Sequence, residues 1–195
     1  MEMTETQKET LKRNNLESNR VTREAIRDAL YLLMRKKEFD RIKITEIIQK
    51  SGVSRSAFYR NYKTKEDIIQ ELVSEFVTLF EAKNTHSLTA NWQLGFDYFL
   101  EHREKLNLIL RSGLEHLLLN EANKNLDYSR GEDFVQAMNN GMIYNVIIYW
   151  AKCGMREDGQ AAALRVARSY AQIYRSLRGQ MEAYSGQDIT QSSPV

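Results

Sequence analysis

The chain has 195 residues and a mass of 22.8 kDa, with 28 basic against 26 acidic side chains and a net charge of +2. At 42% hydrophobic and 28% charged it has the composition of a globular protein with enough apolar mass for a core. A single cysteine, Cys153, excludes a disulfide scaffold and a multi-cysteine zinc site, and fits a reducing cytoplasm.

The apolar run 142–151 is far shorter than the roughly 20 residues of a membrane span, so no membrane is expected. The first 19 residues are polar, with no apolar stretch to suggest a signal peptide. Pro194 is the one proline, so the strongest helix breaker is missing from nearly the whole sequence. Nine glycines are too few for a protein of many hairpins. An all-α fold follows.

Residues 1–18 are polar and are expected to form a disordered leader. Ile26, Ala29, Leu30 and Leu33 then follow the i, i+3, i+4, i+7 rule, predicting a first helix over 20–37. A short helix is expected over 44–51, burying Ile44, Ile47 and Ile48, with Gly52 ending it. Ser54 can cap a third helix through Asn61. A fourth begins near Lys65 and carries Ile69, Leu72, Val73, Phe76 and Phe80. Helices are expected over 91–103, 104–111 and 114–125, then a polar linker over 129–133. The segment 134–152 is apolar on most of its circumference and is expected to be buried on nearly all sides. A last helix spans 158–184, with Leu164, Ala167, Ala171, Tyr174 and Leu177 on one stripe. The tail 185–195 is expected to be flexible.

Charge is divided along this order. Between Arg20 and Lys65 thirteen basic residues face five acidic ones, a net +8; the rest of the chain carries 15 against 21, a net −6. A basic module joined to an acidic body is the asymmetry expected when one part meets phosphate.

Helices 44–51 and 54–61, joined by Gly52-Val53, have the spacing of a helix-turn-helix. Gly52 suits the left-handed end of the first, Val53 can plug the gap, and Ser54 caps the second, whose first residues would face base edges. Ala57 and Phe58 pack inward, leaving Arg55, Ser56, Tyr59 and Arg60 for DNA. Arg matches guanine O6/N7 in the major groove, and Tyr, Ser and Lys match phosphate oxygens. A plain helical hairpin with a solvated basic face has the same spacing.

The run SGVSRSAFYRNYKTKED (51–67), preceded by ITEIIQK (44–50), resembles the DNA-binding domain of the tetracycline-repressor (TetR) family. The resemblance covers about 20–73 and lies in the Gly-Val-Ser turn, Phe58-Tyr59, Tyr62 and Lys65. It implies a cytoplasmic transcriptional regulator, usually a repressor, with a three-helix DNA-binding domain (19–65) and a larger dimerisation and ligand-sensing domain (66–184). By position, Arg55, Ser56 and Arg60 match base-reading residues, Tyr59 and Lys65 match phosphate contacts, and Thr45 matches a backbone contact. Ser54 and Asn61 belong to the same surface. Three positions depart from the family: Lys43 replaces the usual capping Thr or Ser, Ile48 a small residue, and Asn61 the commoner His.

The second half resembles the family less. The resemblance implies a homodimer built on the last two helices, with Ile147, Trp150, Ala163, Ala167, Tyr170, Ala171, Tyr174 and Leu177 at the interface. The apolar run 142–151 and the alanines of the last helix suit such packing, and intramolecular core packing would use them equally. A small-molecule effector would be lined by Trp92, Phe96, Phe99, Met138, Met142 and Tyr144, which as aromatics at helical spacing also suit a plain core. An alternative is a C-terminal domain that docks a protein partner. His86, His102 and His116 lack the i, i+4 spacing of a helical zinc pair. With no G-x-S-x-G, P-loop or G-x-G-x-x-G motif, no enzyme, metal or cofactor is expected.

Overall fold

A computed structural model of the chain describes residues 4–81, 88–129 and 133–187. Within these residues the chain is helical: α1 Glu5–Met34, α2 Ile44–Ser51, α3 Arg55–Asn61, α4 Glu66–Glu81, α5 Leu88–Glu101, α6 Arg103–Ser112, α7 His116–Ala122, α8 Phe134–Lys152 and α9 Gly159–Gln187. A 3-10 turn, Phe39–Arg41, joins α1 to α2. Most of the expected linker 129–133 and all of 188–195 lie outside the described residues.

One expectation fails at the first residues. The supposed leader is helical from Glu5, and α1 runs 30 residues. Its first half is exposed and has no apolar stripe to reveal it. Glu, Lys, Gln and Leu are good helix formers, however, and no Pro or Gly interrupts them. Arg20 adds ion pairs to Glu17 and Glu24, three and four residues away. At the other end α9 continues to Gln187, past the expected end at 184.

The chain forms two compact units. The first comprises the described residues up to Thr78 together with Glu104–Ile148. Its core is built by Ile26, Leu30 and Met34 of α1, Ile47 of α2, Phe58 of α3 and Ile69, Leu72 and Val73 of α4, all at most 2% exposed. Leu106 and Ile109 of α6 are equally buried.

The second unit comprises Leu79–Arg103 and the chain from Tyr149 onward, with α5 packed along α9. Trp92 stacks on Phe96, which meets Trp150 edge-on at 4.9 Å. Asp158 accepts the Ala161 N–H at 2.8 Å and so starts α9. Gly159 leaves room for Asp97: a Cβ would stand 1.9 Å from the exposed carboxylate's Oδ1 and 3.1 Å from the Asp97 backbone nitrogen.

The expectation that α8 is buried all round also fails. Phe134, Val135, Met138 and Tyr149 are each more than 60% exposed. Their spacing places them on one side of the helix, a face that the described residues leave exposed.

Candidate nucleic-acid interface

The α2–α3 unit is set by its turn. Gly52 adopts φ 71°, ψ 6°, the left-handed conformation that closes α2, and its N–H bonds Ile48 O. Ser54 then caps α3, its Oγ accepting the Ala57 N–H at 3.1 Å. At the start of α2, Lys43 leaves no hydroxyl to cap the helix. Glu46 replaces half of that function by accepting the Lys43 N–H at 3.0 Å. Lys37 binds the same carboxylate, and the two donors hold Glu46 below the ordinary carboxylate range.

Helix α3 separates into two faces. Phe58 is fully buried and packs against Tyr62, the residue that ends the helix, at 6.2 Å between ring centres. The Tyr62 hydroxyl donates to Glu71 of α4, which is also bound by Arg23 of α1 at 2.8 Å and lies 3.6 Å from Arg27. Burial, and then the bond to the Glu71 carboxylate, push the Tyr62 hydroxyl well above its ordinary range. Two anchors on α3, one apolar and one polar, thus fix its rotation.

The opposite face is free. Arg55, Ser56, Tyr59 and Arg60 are exposed, as is Thr45 on α2. The Arg55 guanidinium lies 5.7 Å from the Tyr59 ring centre, and Ser56 Oγ is 3.0 Å from Ser54 Oγ. Where α3 ends, a depression of about 580 Å³ is lined by Arg23, Tyr59, Arg60, Asn61 and Lys63, with Glu71 at its side. Cations and hydroxyls around an open concavity suit a phosphate backbone.

Two sequence expectations change here. Lys65 is not on this surface: its Nζ donates to Phe39 O, Asp40 O and Ile42 O at 2.7–3.1 Å. It also lies 4.4 Å above the Phe39 ring. An ammonium has three donors, and all three are engaged in tying α4 to the α1–α2 connection. Asn61 lines the depression but gives one of its two amide N–H donors to Ala57 O at 2.8 Å. The cation that sequence reading passed over is Lys63, whose side chain is exposed at the rim. Thr64 and Asp67 are a second omission. Asp67 accepts the N–H groups of Lys63 and Thr64, and Thr64 accepts that of Asp67, a reciprocal pair that starts α4.

Residues 26–72 match the family model for bacterial regulatory proteins of the tetR family. That stretch is a tetR-family segment of the chain. The solved crystal structure of a TetR transcriptional regulator from Streptococcus agalactiae 2603V shares the fold, with a TM-score of 0.50 and 19% identity. The likeness covers 76% of this chain and 92% of that one. A search of the curated proteins returns no match. The face of α3 described above is therefore that of the family's DNA-binding helix-turn-helix.

The remaining expected site residues are dispersed. Trp92, Phe96 and Phe99 are buried in the second unit, whereas Met142 and Tyr144 are half-buried and Met138 is exposed in the first. Met138 therefore lines no enclosed space within the chain. Of the expected dimer residues, Ile147, Trp150 and Ala163 are at most 3% exposed and already serve the chain's own core. Ala167 and Tyr170 are half-buried, and Ala171, Tyr174 and Leu177 are exposed. No group of three or more metal-ligating side chains occurs among the described residues, and no described helix is long and apolar enough to cross a membrane.

Proposed function

We propose that the chain is a cytoplasmic, effector-responsive transcriptional repressor that binds a pseudo-palindromic operator as a homodimer. The observation that carries this reading is the two-faced α3: buried Phe58 and Tyr62 lock it in place while Arg55, Ser56, Tyr59 and Arg60 stay exposed. Arg55 and Ser56 in its first turn read base edges, and Tyr59, Arg60 and Lys63 meet the backbone. Substituting Arg55→Ala tests the assignment. It should weaken specific binding by about 1–3 kcal/mol and relax selectivity at one base position. Unchanged affinity and selectivity would remove α3 from the major groove.

Support for the dimer lies on α9. Ala162, Ala163 and Val166 are buried, and the same face continues as Tyr170, Ile173, Tyr174 and Leu177. The last three are 52–68% exposed. An apolar face that outruns its own cover marks an association surface, and a second copy supplies an identical face. Two recognition helices would then stand roughly 34 Å apart, one turn of duplex. Effector response is supported by the Trp150 indole N–H, which is buried among aromatic rings without an acceptor. A ligand bearing one acceptor on an apolar frame would satisfy it. The exposed stripe on α8 favours a second reading, in which the C-terminal helices dock a protein partner.

A further inference from the structure

One polar cluster in the first unit lies outside the apolar core and reaches the depression at the end of α3 only through half-buried Gln70. Glu121, near the end of α7, is 9% exposed. Its Oε2 accepts a hydrogen bond from Gln70 Nε2 of α4 at 3.2 Å, and its Oε1 is bound by Lys124. Beside it Asn140 of α8, also buried, donates through Nδ2 to Ala122 O and Asn123 Oδ1, both at 2.9 Å. Gln136 in turn donates to Asn140 Oδ1 at 2.8 Å. The end of α7 is therefore gripped from α8 on one side and linked to α4 on the other.

What makes Gln70 consequential is its neighbour. Successive residues of a helix point about 100° apart, so α4 presents Gln70 toward α7 and Glu71 toward α1 and α3. Glu71 holds Tyr62, the last anchor of the recognition helix, together with Arg23. One turn earlier Asp67 holds the backbone of Lys63 and Thr64. A rotation of α4 that lengthens the Gln70–Glu121 bond also displaces the carboxylate on which α3 is seated.

We propose that Gln70 and Glu121 form a latch through which α7 and α8 set the orientation of the recognition helix. Both are positioning residues: Gln70 borders the depression at the end of α3, and its role here is the bond to Glu121. The latch rests on the DNA-binding reading above and adds to it the residues that pass a change in the C-terminal helices to the operator surface. A buried carboxylate with a donor on each oxygen suits this role, because losing the Gln70 donor leaves Oε2 unsatisfied.

The test is a hydrogen-bond swap in the full chain, read on the duplex that the wild type selects from a random pool. Gln70→Glu sets two carboxylates against each other and should lower affinity about 3- to 10-fold; because a charge in the lining of the depression also repels phosphate, the neutral Gln70→Ala is read beside it and should lose affinity as well. The salt dependence should keep its slope, because no phosphate contact is lost. Adding Glu121→Gln restores a donor facing an acceptor with the direction reversed, and most of the affinity should return. Should Gln70→Glu fail to fold, Gln70→Ala is read alone, with a smaller loss expected at the same slope. A Gln70 variant that melts earlier yet binds the duplex like the wild type would overturn the latch, as would a double variant no better than Gln70→Glu alone. A wild-type chain that enriches no duplex removes the DNA-binding reading, and the latch with it.

Discussion

Replacing Lys65 by alanine separates two roles that a family resemblance merges. On resemblance Lys65 is a phosphate contact; in the structure its ammonium joins three carbonyls of the 39–42 segment and lies over Phe39. A hydrogen bond to a charged group contributes about 1.5–3 kcal/mol. The three bonds share one ammonium, and Asp40 is exposed, so water can replace part of what is lost. A net destabilisation of about 2–4 kcal/mol follows for Lys65→Ala. For a chain of this size that lowers Tm by roughly 5–12 °C. The assay pairs thermal unfolding with duplex titrations at several salt concentrations, below the variant's transition. The structural role predicts a lower Tm and an unchanged slope of log affinity against log salt. A removed phosphate contact would reduce that slope by about 0.9 per protomer. An unchanged Tm with a reduced slope would refute the strut.

Three further outcomes follow from single side chains. Gly159→Ala should destabilise, because the new methyl would displace the Asp97 carboxylate and stand 3.1 Å from the Asp97 backbone nitrogen; a circular-dichroism melt within a degree of wild type would contradict that packing. Asp67 is held below its ordinary value: burial raises it, but the N–H donors of Thr64 and Lys63 together outweigh that effect. Its contribution is therefore present above a carboxyl's unfolded pKa of about 4 and is lost as pH falls through the lower folded value. Asp67→Asn should thus cost stability at pH 7, about 1 kcal/mol for a capping residue, with the gap to wild type closing in acid; a gap independent of pH would contradict it. Tyr174→Glu with Leu177→Glu should shift the chain from dimer to monomer by analytical ultracentrifugation, leaving its helix content intact; a dimer that persists places the interface elsewhere.

Legibility in the sequence followed local punctuation. The bounds of α2 and α3 could be read because Gly52 and Ser54 carry the stop and the start in their own backbone and hydroxyl. The first half of α1 was hidden because apolar periodicity reports a buried face, and this segment has none. Periodicity also misled at α8, where apolar residues all round suggest burial within the chain, yet Phe134, Val135, Met138 and Tyr149 remain uncovered. Sequence says that such a face needs a partner and leaves open which molecule supplies it.

The site divided along the same line. Ser56 and Arg60 could be placed from helical spacing alone, since they lie opposite Phe58, and Arg55 and Tyr59 flank it at the exposed edge. Lys65 could not, because its three acceptors lie 23 to 26 residues earlier in the chain. Nor could Glu121 and Asn140, which look like ordinary polar residues until α4, α7 and α8 come together around them. Long-range polar contacts depend on the assembled fold and leave no periodic trace.

The central claim is sequence-specific recognition of duplex DNA by two copies of α3, and selection of bound duplexes from a random pool tests it most directly. The account predicts enrichment of a two-fold-related motif with half-site centres about 10 base pairs apart, or a multiple of that spacing. Affinity for that motif should fall steeply with salt, and Arg55→Ala should blur one position in each half. Enrichment of no motif, or binding equally strong to every duplex, would contradict it.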